Sequence, residues 1–452
     1  MSTRPPGRSS STRGSACSSF RAGITRPTRG RFRLGSLLDM VRKCADKVYS
    51  SSSPPPMTQA LTLRTADGFR DEDVRALLET SFGRVDAEAR LLEELGRNDP
   101  ASDPGLALVA ESEGAAVGFA LFSPREFLIR GQRLPLAIVA PLAVMPAEQR
   151  SGVARFLLMT GRAALTDRGI LGAVTLGAPE LFSQFGYGSA FDMHLVRVPT
   201  EYLPTDGNTD SWRALNSADL DRLCQLQEES YGCISGTELR RPCALDWEGC
   251  AEGSFTLVHG AAGEPNAYLR FRRRNELEIT ECGAQDPAGV GAILALMSRL
   301  AREHASTRVI VNLAPPHPVA LALYHRGAMI ERCNFGGAAL LAIFDWSALF
   351  EALRGWWAPV LECHGARGIN LLIEGQSHIL GETDGKTPQL WIPAGWGPSL
   401  ICGQRSAHDL LFEPAVVKHS RLEGCGTELV QALFTRCDSL WTWGPAFELV
   451  DG

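Results

Sequence analysis

Residues 138–158 read IVAPLAVMPAEQRSGVARFLL. An aliphatic, partly β-branched run from Ile138 to Val144 ends at Met145-Pro146. Gln149-Arg150-Ser151-Gly152-Val153-Ala154 follows, and then apolar residues at helical spacing, Phe156, Leu157, Ala163 and Ala164. The pattern predicts a strand, a tight loop and a helix. Such a loop leaves backbone N–H groups open at a helix N-terminus, where the partial positive charge of the peptide dipoles collects. Gly152 has no Cβ, so a phosphate can approach the backbone there. A P-loop ends in Gly-Lys-Ser/Thr and a Rossmann turn needs Gly-x-Gly-x-x-Gly; neither spacing occurs here. The plain alternative is an ordinary strand-to-helix turn of an α/β domain.

Composition frames this motif. The 452 residues are 44% apolar, ordinary for a folded protein of about three domains. The net charge of −6 is unevenly spread. Residues 1–56 hold 11 Lys and Arg against 2 acidic residues, leaving 34 basic and 49 acidic residues for the rest. An acidic body argues against nucleic-acid binding and suits a cationic substrate through long-range steering. The Ser-, Arg- and Pro-rich first 56 residues are expected to be a disordered tail or a transit-like segment, or to precede a true start at Met57. No apolar stretch approaches a membrane span, which favours a cytoplasmic protein, with organellar import as the alternative. None of the 12 cysteines lies between 57 and 200, no Cys-x-x-Cys occurs, and the 9 histidines are scattered. Cys243 and Cys250 lack a matching His pair. Reduced thiols and no metal are expected.

Around the motif, Leu61 to Arg64 alternates like a strand, Asp71 to Leu78 opens a helix, and EARLLEEL (88–95) is a second one. Leu106–Ala110 and Ala116–Phe122 form an expected hairpin about Glu113-Gly114. After the motif come a helix to Arg168-Gly169, a strand at 172–176 and the segment Pro179 to Gly188, which contains FSQFGYG.

The two separated segments PLAVMPAEQRSGVA and FSQFGYG, in this order of elements, resemble the GNAT acetyltransferases. The resemblance implies a mixed sheet split at the cofactor. Leu142, Ala143 and Val144 would present backbone groups to the thioester and pantetheine arm of acetyl-CoA, and one N–H would hold the oxyanion. Gln149, Arg150, Ser151, Gly152, Val153, Ala154 and Arg155 would cradle the pyrophosphate, with Arg150 and Arg155 adding charge. Gly177 and Ala178 would line the gap between strands. The family's acid is a tyrosine at the position of Phe182, which has no hydroxyl. Tyr187 is either a substitute acid or a packing side chain. With no cysteine in this domain, acetyl transfer by direct attack of a primary amine is expected, without an acyl-enzyme.

Beyond Thr200 the polar stretch 203–210 marks a boundary. Helices at 218–226, 288–304 and 318–326 and strands near 255, 267, 277 and 308 echo the first domain. Gly289-Val290-Gly291 reads as a worn phosphate loop, or as plain structure. From Asp345 onward the chain holds seven of the nine tryptophans and resembles the sterol-carrier-protein fold. Three successive modules, 57–200, 201–345 and 346–452, resemble the enhanced-intracellular-survival (Eis) type of acetyltransferase. The expected fold class is α/β (α+β): tandem GNAT folds with mixed sheets, then a sterol-carrier-like α+β domain. The resemblance also implies a homo-oligomer, and a C-terminal carboxylate (here of Gly452) as base, although Glu448 to Gly452 extends past Phe447, the usual end. The competing function is a catalytically weakened module that binds acyl-CoA or a lipid.

Overall fold

The computed structural model describes residues 61–437 apart from 67–70, 84–86, 178, 208, 249–252, 274 and 334–338. The N-terminal tail, Ala178, Cys250, Trp441, Trp443, Phe447 and Gly452 lie outside the described residues.

The first sheet runs in the order β1 (Thr62–Thr65), β2 (Ala107–Ser112), β3 (Ala115–Ile129), β4 (Gln132–Val144), β5 (Gly172–Leu176), β15 (Ala339–Ile343) and β6 (Tyr187–Phe191). Its centre is the long β3–β4 hairpin. Arg130 and Gly131 at the tip have φ of 54° and 73°, the paired left-handed residues of a type I′ turn. The expected turn at Glu113-Gly114 has the same character, with φ of 52° and 80°. Residues 123–135 carry no strand reading in the sequence because Pro124 and Pro135 interrupt it. Pro135 is tolerated because its backbone faces away from β3; its carbonyl accepts the Leu171 N–H at 2.9 Å.

Helix α1 (Glu72–Phe82) starts where Asp71 accepts the N–H groups of Asp73 and Val74, and it buries Val74, Leu77 and Leu78. With α2 (Ala87–Asn98) it covers one face of the sheet. On the other face lies α3 (Val153–Thr166), which buries Val153, Leu157, Leu158 and Leu165. The short α4 (Pro179–Phe182) leads into β6.

The second sheet repeats the plan: β8 (Trp212–Ala214), β10 (Ser254–Ala261), β11 (Glu264–Arg273), β12 (Leu277–Ala284), β13 (Arg308–Asn312), β7 (Met193–Pro199) and β14 (Met329–Cys333). Helices α5 (Leu220–Tyr231), α6 (Ala244–Glu248), α7 (Pro287–Glu303) and α8 (Pro318–Tyr324) accompany it. The sheets cut across the boundaries expected at 200 and 345. β7 precedes residue 200 yet pairs with β13 and β14, and β15 precedes residue 345 yet pairs with β5 and β6. The runs MHLVRVP and ALLAI specify strands, but their partners are distant in sequence, so local pattern does not say which sheet receives them.

The C-terminal part holds β17 (Gln376–Gly381), β16 (Gly368–Ile373) and β18 (Gln389–Ile392) in that spatial order. Six helices surround them: α9 (Trp346–Ala352), α10 (Arg354–Cys363), α11 (Gly397–Ile401), α12 (Ala407–Leu411), α13 (Pro414–His419) and α14 (Gly426–Leu433). Trp346, Phe350 and Trp357 share one core with Leu136, Ile138 and Leu341 of the first sheet. The described tryptophans of this part all pack on that core. Arg130 ties the parts together. Its guanidinium donates to the carbonyls of Leu400 and Ile401 (2.9 and 2.8 Å) and lies over Trp356, while its backbone N–H donates to the Ser235 hydroxyl.

A buried ionic network joins the first sheet to the segment before α6. Arg125 of β3 donates to Asp99 (2.6 Å) and Glu238 (3.1 Å), and Arg241 pairs with Asp99 and Asp246. Glu238 lies in β9 (Thr237–Glu238), paired to β3. Removing one partner of such a group strands the opposite charges away from water. Arg125→Met is therefore expected to lower the unfolding free energy by about 3–5 kcal/mol, measured by denaturant titration; a loss below about 1 kcal/mol would show that the network is not held as described.

Candidate active site

The site begins with a bulge. Ala120 stands opposite Leu142 and Phe122 opposite Val139, so β4 spends two residues, Ala140 and Pro141, opposite Leu121 alone. An extra residue on one strand bends it. On its other side β4 runs parallel to β5 only from Leu136 to Ile138, against Gly172 to Val174. Beyond Ile138 the two strands separate. The last link is a side chain: the Thr175 hydroxyl, in a nearly sealed position (2% exposed), donates to the Val139 carbonyl at 3.0 Å.

Past the bulge the ladder fixes which backbone groups face the gap. The Met145 N–H donates to the Val117 carbonyl at 2.9 Å. In an antiparallel pair, hydrogen-bonded and non-bonded positions alternate. Ala143 therefore spends its N–H and C=O on Phe119 of β3, while Leu142 and Val144 turn theirs toward the β5 side. This corrects the expectation for Ala143: it is buried in the ladder and offers no backbone group to the gap. The Val144 carbonyl accepts the hydroxyl of Ser81, in the last turn of α1, at 3.3 Å. Sequence reading missed Ser81 and Thr175, because a lone hydroxyl in an ordinary helix or strand carries no local signature.

The loop behaves as its sequence indicates. Gln149 is extended, Arg150 has φ 67° and Gly152 has φ 101°, a backbone state that Gly adopts without steric cost. Ser151 folds back, its hydroxyl donating to the Glu148 carbonyl at 2.6 Å. No side chain caps α3. Its first-turn N–H groups, from Val153, Ala154 and Arg155, have no acceptor within the helix. Gln149, Arg150 and Arg155 are exposed around them. An uncapped helix start beside two exposed guanidinium groups and a small-residue turn could hold a phosphate.

At the tip of β5, an added Cβ on Gly177 would come within 2.5 Å of the Phe182 ring. Phe182 and Tyr187 are both buried, their rings 5.3 Å apart edge to face. Burial raises the Tyr187 phenol well above its usual range, against a small opposing effect of Arg162. The phenol stays protonated at neutral pH, and its ring belongs to the apolar core under α3.

The second sheet has the same parting of strands, β12 from β13 beyond Ile279, but its own residues fill it. The Cys282 N–H donates to the Tyr231 hydroxyl (3.3 Å), and the Cys282 carbonyl accepts from His317 Nε2 (3.1 Å). Asp286 caps α7 by accepting the Gly289 N–H at 2.8 Å, which places a carboxylate where a phosphate would have to lie. Gly289 serves close packing against Ala284 and Asn266. Among the described residues, no group of three or more His, Cys, Asp and Glu is placed to hold a metal ion. No described helix is long and apolar enough to cross a membrane.

A parted sheet with an uncapped helix start is the arrangement of an acyltransferase fold, and the comparisons place the chain among acyltransferases. The acetyltransferase (GNAT) domain family matches residues 62–190. An uncharacterized N-acetyltransferase of Escherichia coli, YjhQ, is 33% identical over 129 residues, 28% of this chain and 68% of that protein. Another from Escherichia coli, YhbS, is 39% identical over 114 residues, 25% of this chain; the chain spans 65% of its length. The chain belongs to the GNAT acetyltransferase family. Among solved structures, a GCN5-related N-acetyltransferase from Kribbella flavida superposes with a TM-score of 0.65 at 18% identity, covering 84% of this chain and 97% of that one. Eis1 from Mycobacterium abscessus gives 0.58 at 15% identity, covering 85% and 99%. At these identities the structures share the fold.

The filled slot of the second sheet sets a pH dependence. His317 Nδ1 accepts the Val319 N–H at 3.2 Å while Nε2 donates to Cys282, so the ring is neutral. Burial lowers its pKa from 6.5 to about 4. In the unfolded chain the ring takes its proton first as pH falls. Its contribution to stability is therefore intact above about pH 6.5 and lost progressively toward pH 4. His317→Asn keeps a side-chain acceptor for the α8 start but cannot titrate there. The stability advantage of the parent over this variant should shrink as pH falls from 7 to 4, by on the order of 3 kcal/mol. Parallel pH profiles of the two proteins would refute the assignment.

Proposed function

We propose that this chain is an N-acetyltransferase that moves an acetyl group from acetyl-CoA to a primary amine by direct attack. The observation that carries the proposal is the continuity of the site. A gap opened by the β4 bulge leads to the uncapped start of α3 through the Gln149–Gly152 turn. In this reading the pyrophosphate lies on the N–H groups of residues 152–155 between Arg150 and Arg155. The pantetheine arm runs along Leu142 and Val144, with Gly177 opposite. The amine nitrogen attacks the thioester carbon, the Leu142 N–H holds the developing oxyanion, and the C–S bond breaks to release the thiolate. The amine sheds its proton to solvent or to the departing thiolate, so the step yields the amide and the CoA thiol. The acidic body favours a cationic acceptor at long range.

The acid is where this chain departs from its family. Phe182 supplies no proton, and Tyr187 is the nearest hydroxyl-bearing ring. A thiol ionises near pH 8.5, so a CoA thiolate leaves without assistance at a reduced rate. Phe182 is also what favours the second reading, a module that binds acyl-CoA with weakened catalysis. The wider architecture we propose is two GNAT-like sheets and a sterol-carrier-like C-terminal domain in a cytoplasmic homo-oligomer. The filled slot of the second sheet supports giving it a structural role.

Binding is tested at the loop. Gly152→Glu places a side chain and a negative charge at the proposed pyrophosphate position. Acetyl-CoA should then no longer raise the melting temperature as it does for the parent. Because φ 101° strains any residue but Gly, the exposed double variant Arg150→Glu/Arg155→Glu serves as a second probe. Full stabilisation by acetyl-CoA in both would overturn the proposal.

Turnover is tested at the acid. Phe182→Tyr adds one hydroxyl with little change in volume. It should raise kcat by roughly 10²-fold or more, the usual worth of general acid assistance, with acetyl-CoA affinity nearly unchanged. Tyr187→Phe should change kcat little if that ring only packs. The reverse pattern would make Tyr187 the acid. If none of the three proteins releases the CoA thiol with any amine, the binding-module reading is favoured.

A further inference from the structure

We infer that Thr175 sets the acyl-chain length this site accepts, by bolting the closed end of the gap between β4 and β5. The inference rests on the acetyl-CoA reading above.

The gap is a wedge. Its wide end faces the α3 start, and its apex is the Thr175–Val139 hydrogen bond. The apex is a side-chain rung where a backbone rung ends. The carbonyls of Pro135 and Val139 share one phase of β4 and face β5; the first takes the Leu171 N–H, the second the Thr175 hydroxyl. The same hydroxyl lies 3.3 Å from the Leu176 carbonyl, so Thr175 touches both strands where they begin to diverge. Val139, Phe122, Leu157 and Tyr187 belong to the apolar core on the α3 side of the sheet.

Length then follows from strand geometry. A thioester carbonyl bound at the Leu142 N–H lies three residues from the rung at Val139, at most about 10 Å along the strand. The hydrogen bond at Leu142 points across the gap, so carbon contacts of about 4 Å at the rung leave at most about 6 Å along the strand, less what the bulge takes up. That space holds a short acyl group and stops a longer chain such as hexanoyl. If the bolt is removed, the apex has no link between strands at that level, and Val139 keeps a carbonyl with no partner from Thr175.

The test is direct binding of acetyl-, butyryl- and hexanoyl-CoA to the full chain by calorimetry, with kcat/KM for each on a responsive amine. The parent should favour acetyl-CoA over hexanoyl-CoA. Thr175→Ala should shift that ratio toward the longer chain by on the order of tenfold, the scale on which pockets discriminate methylenes. Thr175→Ser keeps the hydroxyl and should retain the parent ratio. Thr175→Val replaces the hydroxyl at equal volume; it should shift the ratio in the direction of Ala and stands in if Ala does not fold. A purely structural Thr175 would lower the melting temperature and weaken all three donors alike, and an unchanged ratio in Ala and Val would overturn the inference while leaving the acetyltransferase reading intact. If the parent binds no CoA thioester, that reading fails and this inference fails with it.

Discussion

The extra residue in β4 opposite Leu121 is the constraint from which the rest of the site follows. A regular strand would keep its ladder with β5 to the end, and both edges would be saturated with hydrogen bonds. Two residues set opposite one bend β4 away and reset its phase. Leu142 and Val144 then hold out peptide groups that no neighbouring strand satisfies. Unpaired peptide groups near a core are costly unless something binds them. One of them, the Val144 carbonyl, takes the Ser81 hydroxyl.

The two sheets show what distinguishes an open gap from a filled one when the backbone plan is the same. Each has a parallel pair that parts, followed by a helix. In the first, no side chain caps the helix and the flanking charges are arginines. In the second, Asp286 caps the helix, and Tyr231 and His317 take both polar groups of Cys282. A handful of side chains, not the fold, separates the two outcomes. The filled gap also extends the buried ion pairs: Glu281 is enclosed with Arg240, Arg270 and the Tyr268 hydroxyl. The guanidinium groups offset the burial of its carboxyl and hold its pKa below the usual carboxylate value.

Much of the first sheet was legible because its signals are local. The helix opening at Asp71, the Glu113-Gly114 turn and the strand–loop–helix at 138–158 each rest on residues within a few positions of one another. The tight turn before α3 was legible for the same reason. The rest depends on phase and on distant partners. That Ala143 serves β3 while its two neighbours serve the gap is decided by one hydrogen bond from Met145. That β7 and β15 change places is decided by strands more than a hundred residues away. The second half of the β3–β4 hairpin was hidden by prolines whose backbones happen to face away from the ladder. The tryptophans of the C-terminal part were visible as a composition shift, and the described ones pack on the shared core.

The exchange of β7 and β15 also orders events in time. β5 and β6 lie within twenty residues of each other in sequence, yet the strand between them begins at Ala339. The first sheet cannot close until the whole second sheet's worth of chain has been synthesised, and an early-folding fragment would carry two unsatisfied strand edges. Contacts of such long sequence separation slow folding, because the loop must be closed before the pairing is gained. Exposed edges of that kind are where aggregation starts. The feature that knits the mature protein into one body thus leaves its nascent form vulnerable, and deletions between the two sheets should be felt in yield before they are felt at the gap between β4 and β5.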